Sequence, residues 1–131
     1  MVIPPFSTPG RFWRGIYAHS NLSDGARSPE EVVAAYRSAG YDFVQVSDHF
    51  LGRFGWLIAD TRGLQADGFT TLIGGELHAM GTAAGEYWHI LAAGLPLDFP
   101  PAKPDETGRG LRRARERRGP LSPSPIRHGR N

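Results

Sequence analysis

The sequence predicts an α/β fold, a parallel sheet or the opening of an α/β barrel, and three observations predict it. Four segments rich in aromatic and β-branched residues, 14–19, 41–47, 69–74 and 87–95, read as strands. A helix with clear start and stop signals separates the first two, so the chain opens as a β-α-β unit. Imidazole and carboxylate groups recur at these strands, and such folds gather their active residues at C-terminal strand ends.

Each element has its own local reason. Residues 14–19 form a first strand, and the polar stretch 20–27 after it carries Asp24-Gly25, a turn signal. Ser28-Pro29-Glu30-Glu31 is a helix start: Ser28 as N-cap, proline at the first helical position, and Glu31 placed to close a capping box. The helix is expected to run to about Ser38 with Val32, Val33, Ala35 and Tyr36 as its apolar stripe, ended by Gly40. Residues 41–47 read as a second, buried strand leading into Asp48-His49. Residues 57–66 read as a weaker helical stretch. Residues 69–74 read as a third strand delivering Glu76 and His78 at its end, and 87–95 as a fourth with His89 near its beginning.

Composition sets limits on function. At 131 residues there is room for one domain. The absence of cysteine excludes disulfides, thiolate metal sites and a cysteine nucleophile, so any metal must be held by His, Asp and Glu. The first 13 residues form an extension that matches neither a secretory signal nor a membrane span, and a soluble, cytoplasmic protein is expected.

The formal charge of +2 conceals a split. Residues 1–102 hold six Arg against ten acids, a net −4, whereas 103–131 hold nine Lys or Arg against three acids, a net +6. The basic pI therefore belongs to the last segment and does not make the folded part a nucleic-acid binder. The domain is expected over 14–97, followed by a tail over 98–131. That tail carries Pro100, Pro101, Pro104, an Arg-rich run and Ser122-Pro123-Ser124-Pro125, with only Leu111, Leu121 and Ile126 as large aliphatics. It is expected to be disordered and solvated, and a helix over 109–118 would lack an apolar face to pack.

The groups that can carry chemistry are His19 and Asp24, Asp48 and His49, Glu76 and His78, and His89. Singly they have ordinary readings: a strand-end histidine, a turn former before Gly25, a polar strand exit, a solvated acid. Jointly, at four successive strands, they read as a metal site. Imidazole with carboxylate suits zinc, manganese or iron, ions that activate water and clamp a phosphoryl oxygen. His78 either orients a ligand or faces solvent.

These residues resemble the polymerase and histidinol phosphatase (PHP) superfamily, specifically its small phosphoesterases. The likeness runs through His19-Ser20-Asn21-Leu22-Ser23-Asp24-Gly25, then Ser28-Pro29-Glu30-Glu31, then Ala39-Gly40-Tyr41-Asp42-Phe43 leading to Ser47-Asp48-His49. It continues at Gly74-Gly75-Glu76 and Trp88-His89-Ile90-Leu91. The resemblance implies a distorted barrel of seven β/α units, with two or three divalent ions at the strand ends, hydrolysing phosphate esters of small substrates. Carried over residue by residue, His19, Asp24, His49, Glu76 and His89 are the implied metal ligands, and Asp48 orients its neighbour.

Two departures qualify that expectation. Tyr17 stands where the family has the first histidine of a His-x-His pair, and a neutral phenol is a poor ligand, so fewer than three ions are expected. Tyr17 itself reads as a core aromatic or as a group beside the ligands. The later motifs have no counterpart after Leu97, so the expected fold is an incomplete PHP-type barrel of about four strands. Such a truncated chain leaves an open sheet edge that invites self-association. The expected function is a metal-dependent phosphoesterase, or a weakly active or inactive remnant of one. The competing reading is a non-enzymatic protein that binds nucleic acid or an acidic partner through Arg112, Arg113, Arg115, Arg117 and Arg118. Against it, no aromatic residue lies in 103–131 to stack on bases.

Overall fold

A computed structural model describes residues 15–80, 85–103, 105 and 107–117. The expected N-terminal extension and residues 118–131 lie outside these. The architecture is α/β: a curled half-barrel of parallel strand segments, extended by one antiparallel strand and accompanied by few helices. In chain order the elements are β1 (Gly15–Ala18), α1 (Pro29–Ser38), β2 (Phe43–Val46), β3 (His49–Phe50), β4 (Thr70–Met80), β5 (Tyr87–Ala93) and α2 (Gly108–Arg117). Short 3-10 turns cover Gly52–Phe54 and Arg62–Leu64.

The β1-α1-β2 unit forms as its sequence requires. The Ser28 hydroxyl accepts from the Glu31 amide while the Glu31 carboxylate accepts from the Ser28 amide, closing the capping box. At the other end Gly40, at φ 79°, donates to Arg37 O, and Tyr41 N donates to Tyr36 O. This is a Schellman arrangement, and the Tyr36 and Tyr41 rings meet edge to face at 5.2 Å to complete its apolar contact. Val32 and Val33 then face Val44 and Val46 of β2, forming a first core with Ala59 and Phe69.

β2 and β3 are one strand interrupted at Ser47-Asp48. Val46 pairs with Ile73 and His49 with Glu76, the same offset on β4. Because Glu76 pairs with both His49 and Leu91, β3 and β5 must lie on opposite edges of β4. The lateral order is therefore β1, β2 with β3, β4, β5. Alternation gives the sheet two unlike faces. Val44, Val46, Phe50, Leu77 and Ala79 point to the helix face, while Tyr17, His19, Gln45, Glu76, His78 and His89 share the other.

Four expectations are corrected. The third strand does not stop at Gly74: β4 runs eleven residues to Met80 and carries Glu76 and His78 within it. Glycines occupy 74 and 75 for close approach, since a Cβ on Gly74 would sit 2.2 Å from Gln45 Nε2 and 2.5 Å from Ala92 O. The fourth strand is antiparallel to the third, because the six residues 81–86 between them are too few for a parallel crossover, which takes about a dozen or more. Residues 57–66 are not helical apart from the turn at Arg62–Leu64, where the Asp60 carboxylate accepts from the Arg62 amide and guanidinium and competes with helical bonding.

The fourth correction concerns the tail. Residues Gly108–Arg117 form a helix that does have something to pack, because Leu111 is 2% exposed in a second core with Phe50, Leu77, Ala79, Leu95 and Phe99. One leucine, with Ala114 beside it, suffices to dock this helix on the face that β4 presents. Among the described residues no helix is long and apolar enough to cross a membrane. Leu111→Ala is expected to destabilise the chain by about 2 to 4 kcal/mol, read by denaturant unfolding; an unchanged midpoint would show that α2 does not belong to the core.

Candidate metal centre

The site is built on the face of the sheet opposite both apolar cores. His19 follows β1 directly, Asp24 lies in the loop between β1 and α1, His49 opens β3, Glu76 and His78 alternate on β4, and His89 lies on β5. All five residues expected as ligands converge here, together with His78.

Glu76 is the hub. Its Oε2 lies 2.8 Å from His19 Nε2 and 3.6 Å from His49 Nδ1, and its Oε1 accepts from His89 Nδ1. Asp24 caps the same imidazoles from the loop, with Oδ1 2.9 Å from His19 Nδ1 and Oδ2 3.3 Å from His49 Nε2. His78 Nε2 lies 2.8 Å from His49 Nδ1. Exposure grades across the cluster: the Glu76 and His49 side chains are each 12% exposed, those of Asp24 and His89 53% and 58%.

The donor set fits a divalent ion. Metal–ligand bonds of about 2.1 Å place the donors of a tetrahedral centre about 3.4 Å apart, and the contacts from 2.8 to 3.6 Å bracket that spacing. His49, Glu76, His78 and His89 form one group whose donor atoms all lie within 4.8 Å of one another, and His19, Asp24 and His49 form a second. His19 adds a chemical argument, because both its ring nitrogens face carboxylates. A neutral imidazole has one N–H and satisfies one of them, so the other contact calls for positive charge, either a second ring proton or a bound cation.

Charge shifts follow from the packing. The hydrogen bond from His19 holds the Asp24 carboxyl below its ordinary 3.8. Burial works to raise Glu76, but the His89 and His19 hydrogen bonds and the positive potential of His49 outweigh it, and its pKa falls below 4.5. His78 is lowered from 6.5, first by burial and then by the neighbouring His89 and His49, so it stays a neutral imidazole.

Asp48 does not act on His49 through its carboxylate. Buried at the break between β2 and β3, it accepts from the Ser20 amide and hydroxyl, each at 2.7 Å, and from the Ser23 hydroxyl at 2.6 Å. It orients the loop that brings His19 and Asp24 to the cluster. Tyr17 is no core aromatic: it is 56% exposed on the site face, two residues before His19. Sequence reasoning missed Phe54, which stacks on His49 at 6.0 Å, and His78, expected to orient a ligand or face solvent, lies within the cluster. The i, i+2 spacing of Glu76 and His78 was the available signal, obscured by ending the strand at Gly74.

Against known proteins, the chain matches no family model, no curated protein and no solved structure.

Two outcomes are expected. Asp48→Ala strands the buried Ser20 donors, lowering stability by about 2 to 3 kcal/mol, read by denaturant unfolding. With no metal added, the unfolded state takes up protons that the fold refuses, at His78 below 6.5, then at Glu76 and Asp24 below 4.5 and 3.8. Stability therefore falls with acidification in two stages, and a melting temperature constant or rising from pH 7 downward would contradict the arrangement.

Proposed function

We propose that this chain is a metal-dependent hydrolase of phosphate esters, of the PHP type that its motifs resemble. The observation that carries the reading is the convergence of His19, Asp24, His49, Glu76 and His89, drawn from four successive strand regions, on one face of the sheet. A structural salt-bridge network would have no need to gather four imidazoles about two carboxylates, whereas oxygen and nitrogen donors in this ratio suit zinc, manganese or iron. Divalent ions held there would supply Lewis acidity toward a phosphoryl oxygen and toward the attacking water.

The residues themselves divide the remaining work. Glu76 and His49 hold fixed positions at the floor of the site, each anchored by a backbone ladder. Asp24 and His89 stand at the mouth, where a small phosphorylated substrate would arrive. No side chain is assigned as a protein nucleophile, so a single displacement by water is the expected course. Hydrolysis of an aryl phosphate with added manganese, abolished by a chelator and reduced about 100-fold or more in Glu76→Gln, is the expected result. Absence of both metal binding and hydrolysis in the purified chain would remove this reading.

A further inference from the structure

We propose that Arg53 binds the phosphoryl oxygens of the substrate, with Phe54 holding its guanidinium at the rim of the cluster for that purpose. This rests on the phosphoesterase reading above and goes beyond it, because neither the motifs nor the cluster itself supplies a cationic side chain that binds substrate.

Arg53 and Phe54 lie in the 3-10 turn Gly52–Phe54, which begins three residues after His49. The Phe54 ring is stacked on His49, with centroids 6.0 Å apart and planes 16° from parallel, and the Arg53 Cζ lies 4.6 Å from the centre of the same phenyl ring. Aromatic faces attract guanidinium groups and orient them. Imidazole, phenyl and guanidinium therefore form one connected array that leads from the cluster to the exposed Arg53. The guanidinium charge reaches back along it, since the groups that lower His78 are, after burial, His89, His49 and lastly Arg53.

The turn that presents this array is anchored on the other face of the sheet. Trp56 takes φ 57°, directly after Gly55 at φ 71°, a conformation that a bulky side chain rarely adopts. Its amide donates to Leu51 O at 3.1 Å, and its ring meets Phe50 edge to face at 5.2 Å against the second core. Such a backbone persists where packing over-determines it. The anchor lies with the helix-face core, while Phe54 at the tip lies against the site.

Arg53 is also uncommitted. Among the described residues it has no carboxylate partner, whereas the Arg62 guanidinium is held by both oxygens of Asp60. The carboxylates nearest the array, Asp24 and Glu76, are engaged by imidazoles. Its planar fork of N–H donors matches two oxygens of a phosphoryl group, and a phosphate monoester carries about −1.5 to −2 charge at pH 7 to meet it.

Calorimetric titration of the full chain with inorganic phosphate, in buffer containing manganese, tests this alongside aryl phosphate kinetics. Arg53→Met should weaken phosphate binding by about 10- to 100-fold and raise KM with kcat little changed, at an unaltered unfolding midpoint. Arg53→Lys should recover part of that affinity, since it keeps the charge and loses the fork; it also serves should the Met variant fail to fold. Phe54→Leu should weaken phosphate binding by about two- to fivefold, through loss of the ring that orients the guanidinium. Wild-type chain that binds no phosphate, or Arg53→Met that binds it as tightly as wild type, would overturn the assignment of Arg53. Phosphate binding that depends on Arg53 without any hydrolysis would uphold the anion site and remove the phosphoesterase reading instead.

Discussion

A carboxylate in the middle of a sheet strand is unfavourable unless charge or hydrogen bonds come to it, and the placement of Glu76 sets that requirement for the whole site. It is paired by backbone on both sides, with His49 and with Leu91, so it cannot retreat to solvent. Three imidazoles reach it, from the end of β1, from β3 and from β5. Each has a backbone reason to be there, and the first depends on the loop that follows β1. Asp48 fixes that loop by accepting three hydrogen bonds from Ser20 and Ser23. Two carboxylates thus act at different ranges: Glu76 gathers the imidazoles, and Asp48 holds in place the segment that delivers one of them together with Asp24.

The floor beneath Glu76 is equally constrained. Gln45, buried on the site face, reaches across β4 to donate to Ala92 O on β5 and also to the Ser47 hydroxyl. It passes where any side chain on residue 74 would stand. A strand crossed in this way must carry glycine there, and the crossing in turn ties β2 to β5 without a shared ladder. Side-chain hydrogen bonds thus do laterally what the parallel registers do along β1, β2 and β4.

Much of this was legible in the sequence, and the failures share a cause. The capping box at Ser28 and Glu31 and the stop at Gly40 are local codes, satisfied within a few residues, and the structure reproduces them. The cluster was legible as residue types in and beside the strands. Gly74-Gly75 misled because glycine signals both a chain break and a close approach, and only the tertiary partner Gln45 distinguishes them. α2 misled because composition counts apolar residues over a segment, whereas docking asks for one leucine in the right place. The role of Asp48 was invisible for the same reason, since its partners lie twenty-five to twenty-eight residues earlier in the chain.

The two faces of the sheet explain how so polar a cluster is tolerated. Both apolar cores lie on the helix face, one closed by Val32 and Val33 of α1, the other by Leu111 of α2. Burial on that side supplies the hydrophobic stabilisation. The site face is consequently not required to be a core. Its outer positions on β5, Tyr87, His89 and Leu91, remain exposed, as does Tyr17 on β1. In a barrel whose interior holds the structure together, an open imidazole cluster would compete with packing. In this sheet, packing and the polar cluster occupy opposite sides of the same strands, so neither His78 nor His89 takes part in a core.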